Sequence, residues 1–106
     1  MAKLSPYETG ELTDSIFFIL LSLLEPTHGY LVMQKVNTLT NGQVIIGPAT
    51  MYTTLGKMVN VGWIEEHTID SSKKEYQITD KGKSILLANY KVRKQLLSVA
   101  ETILGE

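Results

Sequence analysis

With 106 residues, 43% of them apolar, the chain has material for one domain and one modest core. It contains no cysteine, which excludes a disulfide framework, a thiol nucleophile and a cysteine-based zinc site, and which fits a reducing cytoplasm. Ten Lys plus Arg against eleven Asp plus Glu give a formal charge of -1, not the footprint of a strong nonspecific nucleic-acid binder, although most of the charge lies after Asn60 and a local basic site remains open.

Met1 to Gly10 holds Ser5 and Pro6 without periodicity and is expected to be a loose arm. Thr13 is the expected cap of a first helix over residues 13–24, with Asp14 favourably placed in its first turn. From Ile16 to Leu24 that helix is apolar around its whole circumference, so it must be covered on more than one side, and a partner subunit is the expected second cover. The same run, interrupted by Ser22, falls far short of the ~20 apolar residues a membrane span needs. Glu8, Glu11 and Asp14 ahead of it, and no small-residue cleavage pattern after it, argue against a secretory signal and for cytoplasmic residence.

Pro26 ends the first helix. A second helix over 28–39 carries Val32, Met33, Val36 and Leu39 on one face and is broken by Thr40-Asn41-Gly42. Gly47-Pro48 opens a third, with Met51, Leu55, Met58 and Val59 on one side and Thr50, Thr53, Thr54, Lys57 and Asn60 on the other. After Val61-Gly62, residues 63–69 and 74–79 read as two strands joined by Asp70-Ser71-Ser72-Lys73. Thr79 then caps a final helix over 80–104, ~37 Å long. Its apolar stripe, Ile85, Leu86, Val92, Leu96, Leu97, Val99, Ala100, Ile103 and Leu104, is broader than one small domain covers. The fold class is therefore mostly α with a small β-hairpin: a winged helix-turn-helix with its N-terminal helix over residues 1–80, followed by a long C-terminal dimerisation helix over 81–106.

Four spaced motifs carry a resemblance: His28-Gly29-Tyr30, the run from Gly47 to Leu55, Gly62-Trp63-Ile64, and the run from Tyr76 to Gly82. Over nearly its whole length the chain resembles the PadR family of bacterial transcriptional regulators, in the short form with a single C-terminal helix. The resemblance implies a homodimeric DNA-binding regulator, with repression the expected sign, whose third helix enters the major groove while the wing touches the backbone. It also implies two adjacent basic residues late in the third helix and an arginine-rich wing; this sequence has Gly56-Lys57 and only Lys73 and Lys74 beside Glu75.

The candidate DNA-binding residues are Thr50, Tyr52, Thr53, Thr54, Lys57, Lys73, Lys74 and Tyr30. Each has a plainer reading. The threonine and lysine face could be solvated, Tyr52 could pack over the hairpin, Tyr30 could staple into the first helix, and the two wing lysines could belong to an ordinary charged turn. Glu65 and Glu66 read as solvated strand charges. The expected dimer interface is Phe17, Phe18, Leu21, Val92, Leu96, Val99, Ala100 and Ile103. Phe17, Phe18, Val92, Leu96 and Val99 either fill that interface or line a cavity for a small hydrophobic or phenolic effector, the ligand class the resemblance implies. The tryptophan with which drug-binding relatives stack planar ligands is missing from the last helix, since Trp63 starts the wing.

His28 and His67 are the only histidines and have no cysteine near them, so no metal site or cofactor is expected. No nucleophile elbow, phosphate loop or paired-carboxylate spacing is present, and no enzyme activity is expected. Two other functions compete with the regulator: a winged-helix module that binds protein, favoured by the neutral charge, and a small-molecule sensor whose DNA role is secondary.

Overall fold

A computed structural model describes residues 4–70 and 72–106. The element order is α1 (Pro6–Thr9), α2 (Asp14–Ser22), β1 (Thr27–His28), α3 (Gly29–Leu39), α4 (Pro48–Asn60), β2 (Ile64–Asp70), β3 (Lys73–Ile78) and α5 (Asp80–Leu104). Met1 to Lys3 of the expected arm and Ser71 of the expected turn lie outside the described residues.

The helix starts follow from their caps. The Thr13 hydroxyl accepts from Ile16 N at 3.3 Å, and the Thr79 hydroxyl accepts from Gly82 N at 3.1 Å, each satisfying an amide with no partner inside its helix. Pro48 opens α4, where the missing N–H is no loss. Helix α2 ends at Ser22, two residues earlier than expected, because Leu23 and Leu24 turn the chain toward Pro26. Helix α5 closes on Gly105 in the left-handed conformation.

Two expectations need correction. The segment before Gly10 is not a loose arm throughout: Ser5 N donates to Glu8 Oε1 at 3.3 Å and Pro6 sets the first helical φ, so α1 forms, and Gly10 at φ +76° turns the chain out of it. The β2–β3 hairpin forms as expected, but a further strand, β1, which takes His28 from the expected second helix, joins its β3 edge to make a three-stranded antiparallel sheet in the order β1-β3-β2. Thr27 pairs with Tyr76 and His28 with Glu75, while Ile64 pairs with Ile78 on the other side of β3. His28 therefore belongs to a strand, and α3 starts one residue later.

The core gathers Ile19, Leu20 and Leu23 from α2, Val32 and Val36 from α3, Met51, Leu55 and Met58 from α4, and Trp63, Ile64 and Ile78 from the sheet. Helices α2, α3 and α4 each turn an apolar side into it. In α5 only Gly82 and Leu86 are buried, so the helix leaves the globule after its second turn. This matches the long extent of the molecule, 54 × 34 × 27 Å.

Candidate nucleic-acid interface

Helix α4 is held from below by Met51, Leu55 and Met58, which leaves its opposite side free. Thr50, Tyr52, Thr53 and Lys57 are exposed there. Thr54 is not: it is half-buried, facing the Tyr7 phenol of α1, a contact invisible to helical periodicity. Burial pushes the Tyr7 phenol up, and hydrogen bonding to Thr54 acts the other way. The Lys57 ammonium sits 5.8 Å from the centre of the Tyr7 ring, and that ring packs on Trp63 with centroids 5.4 Å apart. Tyr7 is thus part of this face, although nothing in the sequence reading singled it out. The Ser5-x-x-Glu8 spacing was its one available signal.

On the wing side of α4 lies a cleft of about 230 Å³ lined by Gly29, Tyr30, Tyr52, Thr68, Lys73, Lys74 and Tyr76, among others. It brings together residues from both halves of the expected interface. Gly29 lets this happen: a Cβ there would stand 3.0 Å from the Tyr76 ring and 3.5 Å from the Tyr52 ring. Tyr30 does not staple into α2; it is 55% exposed and stacks on the His28 ring at 5.6 Å. Tyr52 takes parts of both readings, half exposed while bordering the cleft beside the hairpin.

Charge in the cleft is mixed. Both strand glutamates are exposed, as expected; Lys74 Nζ lies 3.2 Å from Glu66 Oε1, and His67 Nε2 lies 3.4 Å from Glu65 Oε2. The Tyr76 phenol is pushed up by burial first and then by the nearby Glu66 carboxylate. The Asp70 carboxyl lies below its ordinary value because Ser72 donates to it from its backbone N at 2.9 Å and its hydroxyl at 3.1 Å. Among the described residues no group of three or more His, Asp or Glu could hold a metal ion.

The second expected surface lies along α5. Val92, Leu96, Val99 and Ile103 are 56%, 63%, 53% and 80% exposed, and Ala100 is half-buried. Phe17 departs from expectation: it is buried within its own chain, with the Arg93 guanidinium 4.6 Å from its ring centre and Phe18 edge-on at 5.3 Å. Phe18 and Leu21 are half-buried. A hollow of about 740 Å³ opens between these rings and Tyr90, Leu96 and Leu97, and a second of about 510 Å³ lies between Leu21, Leu24, Leu86, Leu87 and Tyr90. Leu87 and Tyr90 were missed by the sequence reading; their spacing of three, with Leu97 seven further on, was the readable sign of a second apolar line.

The model of the PadR-like family of transcriptional regulators matches residues 19–88. The chain belongs to that family. A PadR-like protein is a transcriptional regulator rather than an enzyme, and the chain has the DNA-binding winged-helix fold of that family. Solved PadR-like structures share the backbone course. A PadR family transcription regulator from Clostridium difficile has 24% identity and a TM-score of 0.66, over 85% of this chain and 98% of that one. A PadR-like transcription factor from Bacteroides fragilis has 24% identity and a TM-score of 0.67, over 84% and 87%. RosR from H. salinarum is similar in fold too, at 20% identity and a TM-score of 0.70 over 90% and 92%. No curated protein is a significant match. None of the described helices is long and apolar enough to cross a membrane.

Proposed function

We propose that this PadR-like chain acts in the cytoplasm as a homodimeric repressor on a pseudo-palindromic operator. The observation that carries the reading is that Tyr52 of the exposed α4 face and the wing lysines Lys73 and Lys74 line one tyrosine-rich cleft. Thr50, Tyr52, Thr53 and Lys57 would meet base edges and phosphates in the major groove, with Tyr30, Lys73 and Lys74 on the flanking backbone. Thr54, turned toward Tyr7, supports the face rather than meeting DNA. The winged helix over 1–80 is the reading unit and 81–106 the dimerisation helix.

Dimerisation is argued from α5. Val92, Leu96, Val99 and Ile103 recur at steps of four and three, the spacing of a helix seam, and a contiguous apolar face of this kind calls for a cover. A second copy supplies that cover and sets two α4 helices ~34 Å apart, one turn of DNA. The hollow under Phe18 and Leu96 would take a small hydrophobic or phenolic effector whose binding favours another arrangement of the long helices and releases DNA.

The test is a fluorescence-anisotropy titration against the DNA upstream of the protein's own gene at two salt concentrations, with Lys57→Ala beside the wild type. Saturable binding that weakens with salt and with the substitution supports the reading. Binding absent even at low salt, with and without a panel of phenolic ligands, would overturn it in favour of a protein-binding winged helix.

A further inference from the structure

Residues 5–14 run as a strap between α5 and α4, and both ends are fastened. On α5, Asn89 grips the backbone twice: its Nδ2 donates to Gly10 O at 2.7 Å and its Oδ1 accepts from Leu12 N at 3.0 Å. One turn further along, Arg93 Nη2 donates to Leu12 O at 3.0 Å and Nη1 to Asp14 Oδ1 at 2.7 Å. Leu12 is buried, so the grip is on a segment already tied to the core. At the other end Tyr7 lies on Trp63, beside Thr54 and beneath the Lys57 ammonium. The strap, Asn89 and Arg93 all lie outside residues 19–88, whereas the side chains Tyr7 touches lie within them.

We propose that Tyr7 is a positioning residue for the reading helix, and that the strap carries displacements of α5 to Lys57. A lysine on an exposed helix samples many rotamers, and ordering it on DNA weakens binding. The Tyr7 ring restricts Lys57 beforehand through its π face. Asn89 and Arg93 stand where α5 leaves the globule, next to the hollow of about 740 Å³ to which Arg93 itself contributes. A rotation or a shift of about 1–2 Å in α5 there, of the size common at helix interfaces, pulls on Gly10 and Leu12 through directional hydrogen bonds. Gly10 N also donates to Pro6 O at 2.7 Å, which ties that grip to the first residue of α1, so the pull reaches Tyr7. This inference rests on α4 being the DNA-reading helix; the mechanical link does not.

The experiment uses the full chain and two readouts. Trp63 is the only tryptophan, so its emission reports Tyr7 without any DNA, and anisotropy against the upstream DNA at two salt concentrations reports binding. The variants are Tyr7→Phe, Tyr7→Ala, Asn89→Ala and the double Tyr7→Ala/Asn89→Ala. Tyr7→Ala is expected to red-shift Trp63 and weaken binding about three- to fivefold, and Tyr7→Phe, which keeps the ring, to stay near wild type. Asn89→Ala, which removes no atom from the α4 face, is expected to reproduce both effects, and the double variant to be no worse than Tyr7→Ala. Asn89→Ala with wild-type emission and affinity, or effects of the two substitutions that multiply, overturns the strap. If Tyr7→Ala does not fold, Asn89→Ala decides alone. An Asn89→Ala emission shift in a protein that binds no DNA would uphold the link and overturn the DNA reading of α4 instead.

Discussion

A side chain on Gly82 would overlap the carbonyl oxygen of Trp63. The first turn of α5 lies directly on the backbone between α4 and β2, and a Cβ at Gly82 would also come within 2.8 Å of Ile78 Cγ1. Backbone cannot step aside as a flexible side chain does. Gly82→Ala is therefore expected to destabilise the fold by about 1–3 kcal/mol through overpacking, although alanine is the better helix former. Urea unfolding followed by circular dichroism measures it; a variant as stable as wild type would mean that α5 can lift off Trp63 without loss.

Gly56 is the opposite case. Nothing stands within 4 Å of a Cβ built there, in the middle of exposed α4. Gly56→Ala is expected to stabilise the protein by about 0.5–1 kcal/mol through helix propensity. Gly56→Lys would create a second cation next to Lys57. It is expected to tighten DNA binding at low salt and to steepen the dependence of log K on log salt by about 0.9, the contribution of one further phosphate contact. An unchanged slope would place position 56 away from the DNA.

The contrast between these two glycines shows what could be read from the chain and what could not. Helices α3, α4 and α5 and both long strands announce themselves by period, caps and Gly-Pro punctuation, and the family resemblance rests on the same residues. Strand β1 is two residues long, too short for any period, and exists only because β3 offers it an edge. Tyr7 and Thr54 depend on a four-residue helix folding back on α4, a tertiary event with no local signature beyond a capping pair. Phe17 was assigned outward because α2 is apolar all round; Arg93, seventy-six positions later in sequence, covers it.

The exposed line on α5 leads to a separate prediction. Leu96 and Ile103 are 63% and 80% exposed, and neither belongs to the buried core, although Leu96 borders the hollow beside Phe17 and Phe18. Leu96→Asp and Ile103→Asp should therefore leave the monomer's fold intact while placing charges in the face that a second copy covers. Sedimentation velocity is expected to show a dimer for wild type and a monomer for the double variant, with the same far-UV spectrum. A double variant that still sediments as wild type would show that the face is not where the copies meet.

Alkaline titration tests the sheet side of the interface. The Tyr76 phenol lies against the core and near Glu66, and both features raise it above its ordinary value of about 10. Between the ordinary and the raised value the unfolded chain has released this proton while the native chain still holds it. Stability must then fall as pH rises. The contribution is fully present below about pH 10 and disappears as the pH climbs through the native value. Tyr76→Phe cannot ionise, so it escapes this loss while forfeiting the contact with Glu66 at every pH. Plots of unfolding free energy against pH for wild type and Tyr76→Phe should accordingly run parallel up to about pH 9.5 and converge or cross above it. Lines that stay parallel to pH 11.5 would mean that Tyr76 titrates alike in both states, and that its ring is not held against Glu66 as the structure has it.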